Sequence, residues 1–111
     1  MNRLQHFAFV LIFFFAIGTI SGQISGNKNI PGDYPTFASA ISAINASGIG
    51  SGGVTFNIAP GYTEIFQNLS DGLITATGTQ ANPVIFQKSG VGNNPLVTAA
   101  SPGVGNYDFI F

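Results

Sequence analysis

The apolar residues between positions 36 and 46 recur with the period of an α-helix. They fall at i, i+3, i+4 and i+7 and form one stripe, which consists of Phe37, Ala40, Ile41 and Ile44. Ser39 and Ser42 lie off this stripe. An isolated helix of about 11 residues is only marginally stable in water. The pattern therefore predicts an amphipathic helix over 36–46 whose stability depends on burial of its stripe.

The residues at the two ends of this segment favour the same helix. Thr36 follows Pro35 and can cap the first turn with its hydroxyl group, and Gly48 can end the helix. A capping box needs Glu or Gln at the third helical position, where this chain has Ser39. We therefore expect the capping box to be incomplete.

Beyond the helix, apolar and polar residues alternate with the period of a β-strand. The segment VTFNI at 54–58 has one apolar face, and a Pro-Gly pair at 60–61 ends it. Shorter runs of similar character predict further strands at 65–69, 73–77, 84–87, 96–99 and 108–111. The glycine-rich segment 48–53 predicts a break before the first of these strands. Its GSGG sequence at 50–53 is interpreted as a turn rather than a phosphate-binding loop, because it follows a helix and lacks the lysine of that motif.

Two of the predicted strands resemble each other. They occur in GGVTFN and NPVIFQ, so that Val54 and Val84 lie 30 residues apart, whereas Phe86 and Phe109 lie 23 residues apart. Spacings of this size are typical of solenoid proteins, although they are unequal here. Small polar residues separate the β-branched and aromatic ones, as stacked strands with tight turns require. The sequence therefore predicts a mostly-β chain and suggests an internal repeat.

The N-terminal residues have the three-part order of a secretory signal peptide. A polar segment containing Arg3 precedes eleven uninterrupted apolar residues at 7–17, and small or polar residues follow up to Gly22. The apolar run is shorter than the about 20 residues that cross a membrane. We predict a signal peptide over 1–22, cleaved after Ser21 or Gly22, and a mature domain over 23–111 that is secreted or held at the cell surface without a membrane span. The alternative is an uncleaved anchor.

The composition excludes several classes of function. Only 6% of the residues are charged, the formal net charge is -1, and there is no cysteine. Three cations spread along the chain cannot form the basic face that nucleic acid requires. Without cysteine, neither a disulfide scaffold nor a thiolate metal site can form.

The mature chain also lacks the residues of common nucleophilic sites. The one histidine, His6, lies in the predicted signal peptide, and no arginine or cysteine occurs after residue 22, which excludes Ser-His-Asp and Cys-His nucleophiles. The acidic residues are isolated from one another, at Asp33, Glu64, Asp71 and Asp108. Glu64 and Asp71 could approach each other as a catalytic pair, but a turn aspartate and a solvated strand-end glutamate are the favoured interpretations. We predict no catalytic, cofactor-binding or metal-binding residue.

Two further patterns carry weaker functional hypotheses. Tyr34, Tyr62 and Tyr107 could stack on sugar rings if they share an exposed face, whereas partial burial is the favoured interpretation. Asn45 and Asn68 begin N-glycosylation sequons, which have no meaning in a bacterial protein.

The order of motifs between Asp33 and about Gln87 carries a family resemblance. A helix with the sequence TFASAISAINA, a glycine break, an alternating strand and a Pro-Gly-Tyr-x-Glu turn follow one another. This order resembles the N-terminal cap and first coil of right-handed parallel β-helix proteins of the pectin-lyase-like superfamily. Large secreted β-helix proteins of Bacteroidetes-type bacteria resemble it more closely than pectin methylesterases do.

The resemblance implies a fold class and a function. The expected fold is the start of a right-handed parallel β-helix of about two to three coils, with the helix as a lid on a stack that begins at Val54. The chain is expected to be truncated, with further coils after Phe111, because an apolar strand would otherwise end uncovered; a small complete β-sandwich or roll is the alternative.

Three functions stay open at this point. The leading prediction is a non-catalytic portion of an exported β-helix protein with a structural, adhesive or carbohydrate-binding role, whose partners are polysaccharide or a cell-surface component. The first alternative is a fragment of a polysaccharide-degrading lyase, hydrolase or pectin esterase with its active site beyond residue 111. The second alternative is an independent small β module.

Overall fold

The computed structural model describes residues 22–100, which contain five β-strands and two helices. Strands account for 38% and helices for 19% of these residues, which confirms the predicted mostly-β class. In chain order the elements are β1 (Ile24–Ile30), α1 (Phe37–Ser47), β2 (Ile49–Ile58), β3 (Thr63–Phe66), α2 (Leu69–Gly72), β4 (Val84–Lys88) and β5 (Leu96–Ala99). Residues 1–21 of the predicted signal peptide, Tyr107, Asp108 and the strand predicted at 108–111 lie outside the described residues. Within 22–100, no helix is long and apolar enough to cross a membrane.

The strands of the described residues form two small parallel sheets. One sheet has the order β1-β2-β4 and the other pairs β3 with β5. In the first sheet Val54 lies opposite Val84 and Phe56 opposite Phe86, so the two segments that resemble each other in sequence are neighbouring parallel strands. Parallel neighbours need a long crossover connection, which the intervening residues between β2 and β4 supply.

The core confirms the helical stripe. Phe37, Ala40, Ile41 and Ile44 are all buried, and the helix spans Phe37–Ser47 with Thr36 as its N-cap and Gly48 as its C-cap. They share one cluster with buried side chains of β1, β2 and β3, which are Ile30, Val54, Phe56, Ile58 and Phe66. The stripe and the inward face of β2 therefore belong to one core.

The start of the first sheet differs from the prediction. β1 precedes the helix and pairs with β2, so the sheet begins at Ile24 rather than at Val54. The strand was missed because only Ile24 and Ile30 are apolar in it, and its conformation depends on pairing with β2. The predicted turn at 50–53 is also wrong, since β2 runs through these glycines from Ile49. These glycines form an irregularity in the pairing with β1, because the register passes from Ile24 opposite Ile49 to Gly26 opposite Val54, and Gly52 and Gly53 have positive φ angles.

Two further strand predictions need correction. The strand predicted at 65–69 begins earlier and is shorter, because β3 covers Thr63–Phe66 and Leu69 starts α2. No strand forms at 73–77. There the Asn45 side chain takes the backbone groups that a strand would use: its Nδ2 donates to Leu73 O at 2.7 Å, and its Oδ1 accepts from Thr75 N at 2.8 Å and Ala76 N at 3.1 Å. The predicted strands at 84–87 and 96–99 are confirmed as β4 and β5.

Candidate functional site

The carboxylate of Glu64 binds the N-terminus of α1. Its Oε2 accepts a hydrogen bond from Phe37 N at 2.7 Å, and its Oε1 accepts one from Ala38 N at 3.2 Å. The first amides of a helix have no partner within the helix, and they carry the positive end of its dipole. Glu64 therefore supplies both hydrogen-bond acceptors and a complementary charge. The expectation of a solvated strand-end glutamate is wrong, because this half-buried side chain joins β3 to α1.

Tyr62 completes the contact with the helix. Its hydroxyl donates to Glu64 Oε2 at 2.7 Å and accepts from Phe37 N at 3.1 Å. Burial and the hydrogen bond to Glu64 together raise the pKa of Tyr62 from its ordinary value of 10.0 to about 12. The Pro-Gly-Tyr-x-Glu turn thus places two side chains on the start of a helix 25 residues or more upstream. We call Tyr62 and Glu64 together the helix latch.

The helix start has a second set of contacts within its own first turn. Ser39 N donates to Thr36 Oγ1 at 3.0 Å, and Thr36 N donates to Ser39 Oγ at 3.1 Å. The capping box is therefore complete, which corrects the prediction. A serine hydroxyl accepts the hydrogen bond that Glu or Gln accepts in the usual sequence.

The other described carboxylates also accept backbone amide hydrogens. Asp33 Oδ2 accepts from Asn29 N at 2.8 Å. Asp71 Oδ2 accepts from Gln67 N at 2.7 Å and from Asn68 N at 3.0 Å, which holds the start of α2, so Asp71 is not the turn residue expected from the sequence. Glu64 and Asp71 bind different backbone groups and form no pair. Asp108 lies outside the described residues.

Neither described tyrosine offers an exposed ring for a sugar. Tyr34 and Tyr62 are both half-buried, as the favoured interpretation held. The Tyr34 ring packs edge-on against Phe56 with its centroid 5.8 Å away. Within residues 22–100, no group of three or more His, Asp or Glu side chains is placed to bind a metal ion.

The outward side of the first sheet carries uncharged polar side chains. Since Val54, Phe56 and Ile58 point into the core, the alternating residues Thr55 and Asn57 point away from it. The strand register places a neighbour from β1 and one from β4 beside each of them. The result is two rows, Asn27–Thr55–Ile85 and Asn29–Asn57–Gln87, which we call the amide face.

The second row of the amide face contains a side-chain hydrogen bond between strands. Gln87 Nε2 donates to Asn57 Oδ1 at 2.8 Å. This bond leaves the Asn57 amide group as a donor and the Gln87 carbonyl oxygen as an acceptor for another partner. Polar alternation along one strand indicates a flank rich in Thr and Asn, but it does not reveal which residues lie side by side. The parallel register supplies that information.

A groove of about 390 Å³ lies on the outward side of the second sheet. It is lined by Thr63, Glu64, Ile65, Leu96 and Thr98. Ile65 and Leu96 are 57% and 58% exposed. Its two hydroxyl groups and two exposed apolar side chains make it a second candidate surface for ligand binding.

Comparison with known proteins identifies no relative of this chain. The chain matches no protein-family model, no curated protein and no solved structure.

Proposed function

We propose that this chain is the non-catalytic N-terminal portion of an exported β-helix protein with a structural and carbohydrate-binding role. In this proposal the protein is secreted or held at the cell surface. The helix α1 serves as the lid at one end of the solenoid, and the amide face contacts carbohydrate.

The spacing of paired strands supports the solenoid. From Gly26 onward, residues paired between β1 and β2 lie 28 apart, as in Asn27 with Thr55, and those between β2 and β4 lie 30 apart. In the second sheet Thr63 pairs with Leu96, 33 residues later. The chain thus returns to each sheet after similar lengths and always in the same direction, which is the behaviour of stacked solenoid repeats. A buried helical stripe at the start of such a stack would protect its core from water.

The amide face is the observation that carries the binding role. All three described carboxylates are held by backbone amides, whereas five of the six side chains of the amide face are uncharged hydrogen-bonding groups on a regular sheet. Each amide group offers donors and an acceptor, as do the hydroxyl groups of sugars. This surface is suited to binding carbohydrate without chemical conversion.

Retention of the exported protein on insoluble polysaccharides tests this function. The protein would be incubated with cellulose, chitin and insoluble xylan, and both retention and the release of reducing ends would be measured. We expect retention on at least one polysaccharide and no release of reducing ends. Release of reducing ends or of unsaturated products would support the degrading-enzyme alternative instead. Absence of retention on all of them would refute the carbohydrate-binding role.

A further inference from the structure

We infer that the amide face binds an uncharged polysaccharide whose axis runs across β1, β2 and β4. The inference rests on the proposed function and narrows its ligand class, its site and its orientation.

The amide groups repeat in the direction across the strands. Neighbouring strands lie about 4.7–4.9 Å apart, so the row Asn29–Asn57–Gln87 presents one amide group at each step. The two rows lie two residues apart along the strands, which corresponds to about 6.6 Å. A linear polymer crossing the strands therefore meets hydrogen-bonding groups on both sides of its axis. A polymer running along a strand would meet only two outward side chains on β2, Thr55 and Asn57.

The charges around the amide face favour an uncharged ligand. None of its six side chains is ionised, and the Asp33 carboxylate is bound to the backbone of Asn29 at one end of the second row. The Lys88 ammonium group at the other side is held by Gly92 O at 2.8 Å and Asn94 Oδ1 at 3.1 Å. Lys28 and Lys88 lie opposite Phe56 and Ile58, so both alternate to the other side of the sheet. An anionic polymer on the amide face would therefore lose hydration without a lysine in either row, and it would approach the Asp33 carboxylate.

The first row adds apolar contact area. The Ile85 side chain is 41% exposed, and Thr55 beside it contributes a methyl group. Sugar rings have faces of C–H groups and edges of hydroxyl groups. A ring over Ile85 and Thr55 can therefore bury apolar area while its edge hydroxyls reach Asn57 and Gln87.

Side-chain amide resonances of the 111-residue chain provide a direct test. Isotope-labelled protein would be titrated with soluble uncharged polysaccharides (laminarin, dextran and hydroxyethylcellulose) and with polygalacturonate. We expect an uncharged polymer to shift the amide signals of Asn29, Asn57 and Gln87 together, and polygalacturonate to leave them unchanged. Asn57→Asp should weaken binding by about tenfold or more, because it removes a donor and adds a charge.

Asn57→Ala and Ser42→Asp serve as matched variants. Asn57→Ala should also weaken binding, by about fivefold to tenfold, without adding charge. Ser42 is exposed on α1 and lies off its stripe, so Ser42→Asp adds the same charge on another face and should change affinity by less than about twofold.

The outcomes separate this inference from the proposed function. If binding shifts the resonances of Thr63, Ile65 and Leu96 instead of those of the amide face, the inferred site is wrong, whereas carbohydrate binding as the function is retained. If polygalacturonate binds as tightly as the uncharged polymers, the inference that the ligand is uncharged is wrong. If none of the soluble polymers binds but the insoluble polysaccharides retain the protein, the inferred binding of a single polysaccharide chain across the strands is wrong. If nothing binds in either experiment, the proposed function fails as well.

Discussion

The carboxylate of Glu64 accepts the amide hydrogen of Phe37, 27 residues earlier in the chain, at 2.7 Å. Phe37 is the first residue of α1 and begins its buried stripe. This contact therefore fixes where the helix starts relative to β3. It also explains why a Tyr-x-Glu sequence directly after a Pro-Gly turn matters to a helix that precedes it in the chain.

Replacing Glu64 should destabilise the fold through the helix start. In Glu64→Ala, the amides of Phe37 and Ala38 lose a charged acceptor, and we expect a loss of about 2–3 kcal/mol in the free energy of unfolding. Glu64→Gln keeps an acceptor without the charge and should lose about 1 kcal/mol. Urea unfolding measures both values. Equal stability of the two variants, or no loss in either, would contradict the role of the carboxylate.

The helix latch should also make stability depend on pH in the alkaline range. The pKa of Tyr62 is raised by burial and by Glu64 to about 12 in the folded chain, against an ordinary value of 10.0. Below pH 10 the hydroxyl is protonated in both states and its contribution is fully present. Between pH 10 and 12 the unfolded chain releases the proton first, so this contribution is lost as the pH rises.

Tyr62→Phe isolates that effect. The variant should lose about 1 kcal/mol at neutral pH, because the hydroxyl no longer bonds Glu64 and Phe37 N. Its urea midpoint should fall less steeply between pH 10 and 12 than that of the unmodified chain. Burial and Asp33 also raise the pKa of Tyr34, which is present in both proteins, so its effect cancels in the difference. Identical slopes would show that Tyr62 ionises equally in both states.

The parts of the fold that the sequence predicted are those in which burial follows a local period. The stripe of α1 and the alternation in β2 and β4 reflect the direction of side chains within one element. The Glu64 contact joins residues 27 positions apart, and no local period encodes it. The resemblance did point to the Tyr-x-Glu turn as a motif, but not to its partner. The amide face likewise became visible only when the register placed Asn57 beside Gln87.

Two adjacent glycines in β2 should respond differently to alanine. Gly52 and Gly53 both have positive φ angles, +86° and +77°, and an added side chain costs about 1–2 kcal/mol in that conformation. A Cβ at Gly52 would have no heavy atom within 4 Å, whereas one at Gly53 would lie 2.6 Å from Pro83 N and Cδ. We expect Gly52→Ala to cost about 1–2 kcal/mol and Gly53→Ala to cost at least about 3 kcal/mol. Equal losses in thermal unfolding would mean that β2 does not approach Pro83 this closely.

The Asn45 side chain should control the segment that follows α2. Asn45→Ala removes the acceptor for the amides of Thr75 and Ala76 and the donor to Leu73 O. Hydrogen exchange of those two amides should accelerate, with a loss of about 1–2 kcal/mol in stability. Asn45→Asp keeps the acceptor for these two amides but places a carboxylate oxygen, in place of the donor, against Leu73 O. It should accelerate the exchange of Thr75 and Ala76 less than Asn45→Ala does, and equal acceleration in the two variants would contradict the assignment.

The stacked rings of Phe56 and Phe86 should stabilise the fold by more than the sum of their separate contributions. Their centroids lie 4.8 Å apart at an interplanar angle of 14°, and the Phe86 ring also stacks on Phe37 at 4.5 Å. Phe56 is fully buried, so Phe56→Leu should cost about 1 kcal/mol or more through packing alone. A double-mutant cycle with Phe86→Leu should give a coupling of about 0.5–1.5 kcal/mol, the range found for aromatic pairs.

Ile74, which is 44% exposed, supplies the control: a cycle of Phe56→Leu with Ile74→Ala should give a coupling near zero. If both cycles give the same coupling, the register that places Phe56 against Phe86 is wrong, and the amide face built on that register is wrong with it.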